Sequence, residues 1–334
     1  MIDLHLHLDG SLSIEDFKFL ASRQNYDLGK DFPKNIYVNE DCKSLEEYLE
    51  RFDLPVALLQ DEFSIAYAVN SLINRLYNMG YIYAEIRFAP QLHTQKGMSQ
   101  EDAVIAACAG LRNALKDKSG FDANLILCAM RQSDYEDNLP AIVLADKYRD
   151  RGVVAVDLAG PEAFHTGDYY QNLFDEAKKR NLNITIHAGE ACGSEEVIRV
   201  IDLLHATRIG HGVHLDINYE NVRKMTEQNI IFEFCPTSNI QTTSLDNYAT
   251  VPLRQFDRFG IKVTINSDNM TVSNTNVLKE FRHLFKEFKL QKFEVRHFLN
   301  NSIEAAFIPL DKKQALMREL DKRLDNFYEE VIRP

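Results

Sequence analysis

Several features that would set the class of this 334-residue chain at once are missing. No run of ~18 apolar residues occurs, so no transmembrane helix and no membrane partner are expected. No basic n-region opens the chain, and Asp3, His5, His7 and Asp9 interrupt its first apolar residues. The first structural element therefore begins at once, which leaves no room for a removable leader. Cations are in deficit: 38 Lys and Arg against 50 Asp and Glu give a formal charge of −12. A broad nucleic-acid or phosphate-binding surface needs clustered Lys and Arg, so nucleic acid is not an expected partner. The five cysteines (Cys42, Cys108, Cys128, Cys192, Cys235) are odd in number and form no Cys-x-x-Cys pair, as in a cytoplasmic protein with reduced thiols. Low-complexity tracts, Pro/Ser linkers and short repeats are also absent, so residues 1–334 read as one domain.

What is present is an alternation. Short apolar, β-branched runs recur at 2–7, 81–88, 124–130, 153–158, 183–187, 206–210, 230–234 and 261–266, each followed by an amphipathic stretch. Helix-start signals include Ser13-Ile-Glu-Asp16, Ser99-Gln-Glu-Asp102 and Ser194-Glu-Glu. Eight strand–helix repeats predict an α/β protein with a (β/α)₈ TIM-barrel fold. The rival is a doubly wound open sheet, but no strand is followed by G-x-G-x-x-G. Between the first and second strands, residues 32–61 form an insertion. Its stretch 44–52 predicts one amphipathic helix with Leu45, Tyr48, Leu49 and Phe52 on one face, suited to packing on the barrel or to a lid over its mouth. A terminal helix with the stripe Leu316, Leu320, Leu324 and Phe327 is expected to be structural.

The polar residues fall at particular places on this frame. In the opening stretch Met-Ile-Asp-Leu-His-Leu-His-Leu-Asp-Gly, strand alternation sends Asp3, His5 and His7 to one face and Leu4, Leu6 and Leu8 to the other. A His-x-His pair alone is more often structural than a metal site. His187, His211 and Asp268, however, close or follow the fifth, sixth and eighth strands, at the carboxyl ends where barrel enzymes build their sites. Three imidazoles and a carboxylate suit a divalent ion, zinc first. With His5, His7, His187 and Asp268 as ligands, one position is left for a water of lowered pKa. Glu190, three residues past His187, is placed to carry a proton. His211 is left to orient the water, accept its proton or stabilise the developing oxyanion. The other histidines (His93, His165, His205, His214, His283, His297) read as surface, loop or helix residues.

These segments together resemble the adenosine deaminase family, a branch of the metal-dependent amidohydrolase barrels. The resemblance covers nearly the whole chain and is carried by His5-Leu-His-Leu-Asp-Gly10, Leu158-Ala-Gly160, His187-Ala-Gly-Glu190, Arg208-Ile-Gly-His-Gly212, Cys235-Pro-Thr-Ser-Asn239 and Asn266-Ser-Asp268, in that order. It implies one Zn²⁺ held by His5, His7, His187 and Asp268. It further implies that Glu190 protonates purine N1, with His211 and Asp268 acting on the water. The substrate-facing positions it implies are His7, Asp9 (towards the ribose 5′-hydroxyl), the Gly160 N–H (towards N3), Asn269, and Leu45, Tyr48, Leu49 and Phe52 of a hydrophobic lid. Many members carry a second aspartate where this chain has Asn269, an amide that can donate to N7 without being protonated. The Ser-Asp-Asn form is similar to that of some bacterial members.

The implied reaction is hydrolytic deamination of adenosine, and of 2′-deoxyadenosine, to the inosine product and ammonia. The alternative substrates are free adenine or another 6-aminopurine such as aminodeoxyfutalosine. Family members acting on adenine typically have Glu where Asp9 stands, and the shorter Asp9 leaves room for a ribose. Base-editing deaminases carry His-x-Glu with Pro-Cys-x-x-Cys, and neither occurs here. A non-catalytic binding role would leave the water-activating set without use.

Overall fold

The computed structural model describes residues 1–38, 42 and 44–333. Eight strands run in one direction and in sequence order: β1 Ile2–His7, β2 Tyr83–Phe88, β3 Asp122–Met130, β4 Val153–Ala159, β5 Asn183–Ala188, β6 Arg208–His211, β7 Ile231–Phe234 and β8 Lys262–Ile265. Every neighbouring pair from β1–β2 to β7–β8 is parallel, and helices lie between the strands: a TIM barrel. The ring closes at the carboxyl end of β8. There the His7 N–H donates to the Asp268 carbonyl and the Asp268 N–H to the His5 carbonyl, each at 2.8 Å. The seam of the barrel thus passes through three of the residues singled out above, His5, His7 and Asp268.

Local chemistry explains most helix starts. Ser13 and Ser99 each cap a helix (Ile14–Gln24 and Gln100–Leu115) in a reciprocal box with Asp16 and Asp102. The third signal is displaced by one residue. Gly193 caps the helix Ser194–Leu204, and the Ser194 hydroxyl instead accepts from the Asn221 amide. Its would-be box partners are diverted too, since Glu196 accepts from Arg131 and from the Gly167 N–H. The C-terminal helix, Leu310–Ile332, buries Leu316, Leu320, Leu324 and Phe327. No helix among the described residues is long and apolar enough to cross a membrane.

The insertion differs from the single helix expected. Residues 45–49 form a short α-helix, 50–52 a 3₁₀ turn and 53–58 a second helix carrying Pro55 in its first turns. Proline fits only a helix start, so the chain restarts there rather than continuing. Residues 39–41 and 43 of the insertion lie outside the described residues. Leu45, Tyr48, Leu49 and Phe52 still share a face and pack with Val272, which follows β8.

Most of the core lies between strands and helices and is apolar, but the barrel axis is not. Arg87, Asp157, Arg208, Glu233 and Glu85 are fully buried or nearly so within the ring. Arg87 pairs with Asp157 and Glu233 (2.8 Å each), and Arg208 with Glu233 (2.5 Å) and Glu85 (2.6 Å). Buried charges at this density require complete pairing, and the network ends at the imidazoles of the site.

Candidate active site

The residues at the carboxyl ends of the strands converge. Ligating atoms of His5, His187, His211 and Asp268 all lie within 4.8 Å of one another, and all four residues are buried. His7 joins them: its Nε2 is 3.2 Å from His187 Nε2 and 3.4 Å from Asp268 Oδ1. His5 Nε2 is 3.5 Å from the same Asp268 oxygen. Backbone geometry helps to aim them, since His211 (φ 63°) and Asp268 (φ 58°) both sit in the left-handed region. Non-glycine residues held there cluster at functional sites. Close approach is bought by one glycine, Gly210, where a Cβ would stand 2.8 Å from the His5 ring.

Second partners decide which nitrogens face the centre. His5 Nδ1 lies 2.8 Å from Glu233 and His187 Nδ1 lies 3.1 Å from Asp157. Each carboxylate accepts a hydrogen bond from Nδ1–H, which leaves an Nε2 lone pair turned inward. His211 is set the other way. The Asn239 amide nitrogen, 3.0 Å from His211 Nδ1, can only donate, so the ring proton sits on Nε2. That N–H points towards Glu190 Oε2, 3.6 Å away.

The cluster fits a divalent cation on three grounds. His187 Nε2, bare because Nδ1 donates to Asp157, faces His7 Nε2 at 3.2 Å, so two imidazole nitrogens converge on one point. His5 Nε2 is fully buried with no hydrogen-bond partner. The carboxylates of Glu85, Asp157, Glu233 and Asp268 outnumber the guanidiniums of Arg87 and Arg208 by four to two, a formal excess of two negative charges.

Electrostatics separate two carboxyls of the site, Glu190 and Asp268. Burial raises Glu190 well above the ordinary glutamate range, and the charges of Asp268 and Glu162 add to it. Burial acts on Asp268 as well, but the surrounding imidazoles of His5, His211 and His7 hold it well below the usual value. Their environments thus push two neighbouring carboxyls in opposite directions.

Above the cluster lies a cavity of about 290 Å³, near the lower bound of small-ligand sites. It is lined by His7, Asp9, Gly160, His187, Glu190, His211, Asp268 and Asn269 below, and by Leu45, Tyr48, Leu49 and Phe52 of the insertion above. Every site residue named from the sequence thus borders it except His5, which lies deeper. The Asp9 carboxyl is pushed up to about 6 by burial. Asn269 gives one amide N–H to the Tyr48 hydroxyl (2.9 Å), which also meets Ser273 at 2.7 Å, and so ties the insertion to the β8 loop.

A profile of the family described as adenosine deaminase matches residues 1–323. The chain is 45% identical over 331 residues to an adenosine deaminase of Haemophilus ducreyi, covering 97% of this chain and 96% of that one. The chain belongs to the adenosine deaminase family. An adenosine deaminase of Clostridium acetobutylicum is 36% identical over 324 residues, 96% of each chain. Among solved structures, the adenine deaminase of Arthrobacter aurescens shares the fold (TM-score 0.87, 24% identity, 97% of this chain and 98% of that one). The N6-methyl-AMP deaminase of Arabidopsis thaliana superposes with a TM-score of 0.84 at 26% identity, covering 96% of each.

Sequence reasoning passed over several residues of this family site. Asp157, Glu233 and Arg87 support the imidazoles; Asp157 and Glu233 are each the one charged residue of their strand, and Arg87 shares its strand only with Glu85. In a strand buried on both faces that is itself a signal. Asn239, which sets the His211 tautomer, and Glu162 left no such mark, because both lie outside the strands. His93 is fully buried, with Nδ1 2.9 Å from the Leu59 carbonyl beneath the insertion.

Proposed function

We propose that this protein hydrolyses adenosine, and 2′-deoxyadenosine, to the inosine product and ammonia, with one Zn²⁺ held by His5, His7, His187 and Asp268. One observation carries the reading: Glu190, a buried carboxyl raised well above the ordinary glutamate range, opens onto the same cavity as the imidazole–carboxylate cluster. His211 is left out of the ligand set because its Nε2 bears the ring proton, whereas the inward nitrogens of His5 and His187 are bare. Zinc bound there supplies a water acidic enough to attack near neutral pH.

The remaining work belongs to the side chains. Attack at C6 ends the ring's aromaticity and sends negative charge to N1, where Glu190 delivers its proton. Asp268, an anion, takes the first water proton and passes it to N6. His211 donates from Nε2 to the new oxygen at C6. The C6–O bond forms, the C6–N6 bond breaks, and ammonia departs. Of the two water protons, one leaves with ammonia and the other restores Glu190, whose own proton stays on N1. Asp9 accepts from the ribose 5′-hydroxyl, the Gly160 N–H meets N3, and the second N–H of Asn269 is available to N7. Leu45, Tyr48, Leu49 and Phe52 exclude water above the base.

Adenosine is favoured over nucleotides by the wall chemistry. Among the described residues no lysine or arginine lines the cavity, while Asp9 and Asp53 do, so a 5′-phosphate would be buried without a cation. Free adenine remains the second reading, and Asp9 is what favours the nucleoside. Comparing kcat/KM on adenosine, 2′-deoxyadenosine, adenine and AMP tests this. Adenosine should exceed AMP by at least ~100-fold, the cost of about 3 kcal/mol for an unpaired buried charge. A preference for adenine would overturn the nucleoside assignment. A cytoplasmic role in purine salvage fits, supported by Cys108, Cys128, Cys192 and Cys235, which form no disulfide.

A further inference from the structure

Glu162, in the loop after β4, is buried at 2% exposure and does not line the cavity. Its carboxylate accepts from four consecutive backbone N–H groups of the loop after β5. Gly189 donates to Oε1 (2.5 Å), and Glu190, Ala191 and Cys192 donate to Oε2 (2.9, 2.6 and 2.9 Å). Both oxygens act only as acceptors, and the loop wraps them as a nest of N–H groups wraps an anion. The loop turns there because Gly189 is left-handed (φ 71°), and a Cβ on it would strike Val197 at 2.5 Å and the Gly212 backbone at 3.1 Å.

The platform under Glu162 is itself fixed. Arg131, fully buried, donates from Nη1 to the His165 carbonyl (2.6 Å) and from Nη2 to the His187 carbonyl (3.0 Å), joining the β4 loop to the end of β5. The Tyr170 hydroxyl then donates to the Arg131 carbonyl (2.5 Å). The Glu190 side chain, by contrast, is tethered lightly: Thr242 donates to Oε1 at 3.2 Å, and His211 Nε2 stands 3.6 Å from Oε2. Its position over the cavity is therefore set by its backbone, and its backbone by Glu162.

We propose that Glu162 is the positioning residue for proton donation to the purine, locking the 189–192 loop so that the Glu190 carboxyl is held where N1 arrives. The inference rests on the assignment of Glu190 as the proton donor. It has a chemical reason beyond packing. Four donors bound by one side chain make a hinge-free loop, and proton transfer demands placement within a fraction of an ångström. A displacement of 1 Å at a reacting group costs on the order of 10²-fold in rate. The negative charge of Glu162 also lies near Glu190 and opposes its ionisation, after burial and Asp268.

Glu162→Gln keeps the shape but offers one oxygen in place of two. Either Gly189 or the Glu190–Cys192 trio must then face an amide N–H. Kinetics, thermal unfolding and zinc content would be measured for Glu162→Gln, Glu190→Gln and the double variant. We expect Glu162→Gln to lower kcat by about 10²-fold with KM within about threefold and zinc content unchanged, because the lost contact acts in the transition state. In the Glu190→Gln background the same change should cost less than about threefold, since there is no proton left to position. If Glu162→Gln fails to fold, Glu162→Asp, one methylene too short to span the nest, carries the same test. A full, additive loss in the Glu190→Gln background, a loss of zinc in parallel with activity, or unchanged kcat would each overturn the proposal. Wild-type turnover by Glu190→Gln alone would instead overturn the donor assignment, and the inference with it.

Discussion

Glu233 offers the sharpest test of the buried charge network. It is fully buried, with Oε2 2.8 Å from both His5 Nδ1 and Arg87 Nη2, and Oε1 2.5 Å from Arg208 Nε and 3.0 Å from the Thr185 hydroxyl. Burial alone would raise its pKa, but Arg208, Arg87 and the His5 hydrogen bond hold it well below the ordinary range. In Glu233→Gln the amide nitrogen must replace one of these oxygens. Placed at Oε2, it meets the Nδ1 proton of His5 and the Arg87 guanidinium. Placed at Oε1, it meets the Arg208 guanidinium and the Thr185 hydroxyl. Breaking a buried pair from one side costs about 3–5 kcal/mol, and Arg87 and Arg208 keep only Asp157 and Glu85. Losing the partner that fixes a ligand imidazole costs about 10–100-fold in metal affinity. Urea unfolding of chelator-stripped protein measures the first term, and zinc competition against a calibrated chelator measures the second. The stripped variant should lose at least ~3 kcal/mol, and zinc affinity should fall at least ~10-fold. Equal stability with unchanged zinc affinity would refute the view that Glu233 joins the barrel charges to the metal site.

Three further outcomes follow from the same geometry. Chelation should abolish turnover and lower the thermal midpoint by about 5 °C, because the inward imidazoles lose their common partner; zinc should restore both. In Gly10→Ala the new Cβ lies 1.9 Å from Asn269 Oδ1, so the Asn269 side chain must leave Tyr48. Its kcat/KM on adenosine should fall about tenfold in steady-state assays, and an unchanged value would remove Asn269 from the purine contacts. Burial lowers His93 from 6.5 to about 4, so its neutral form is what the fold stabilises. The unfolded chain binds the extra proton first, so this stability is complete above pH 6.5 and is lost as pH falls towards 4. The loss amounts to about 3 kcal/mol. Denaturation across that range should show the slope in the wild type and a shallower one in His93→Gln.

The barrel was legible because its cues are local. Alternation of short β-branched runs with capped amphipathic segments depends on neighbours a few residues apart, and each run became a strand within about two residues of its expected ends. The polar site was legible for a related reason: residues at strand carboxyl ends all face one mouth, whatever the details of packing. The insertion was harder to read. Its apolar spacing is that of one helix, yet Pro55 and the pull of Val272 and Ser273 break it into three short turns.

The sequence by itself therefore determined the fold, the family and which residues gather at the mouth of the barrel. Those are properties of pattern and of residue type. Only the tertiary structure decided how those residues are held in charge and orientation. His5 and His187 present bare Nε2 atoms because their Nδ1–H groups donate to Glu233 and Asp157, from other strands, and His211 presents an Nε2–H because the Asn239 amide donates to its Nδ1. The Glu190 carboxyl is raised by burial and by the charges of Asp268, after β8, and Glu162, in the β4 loop, and its backbone N–H donates to Glu162. Protonation and aim depend on groups distant along the chain and within 3 to 4 Å in space, and distances of that kind exist only after folding.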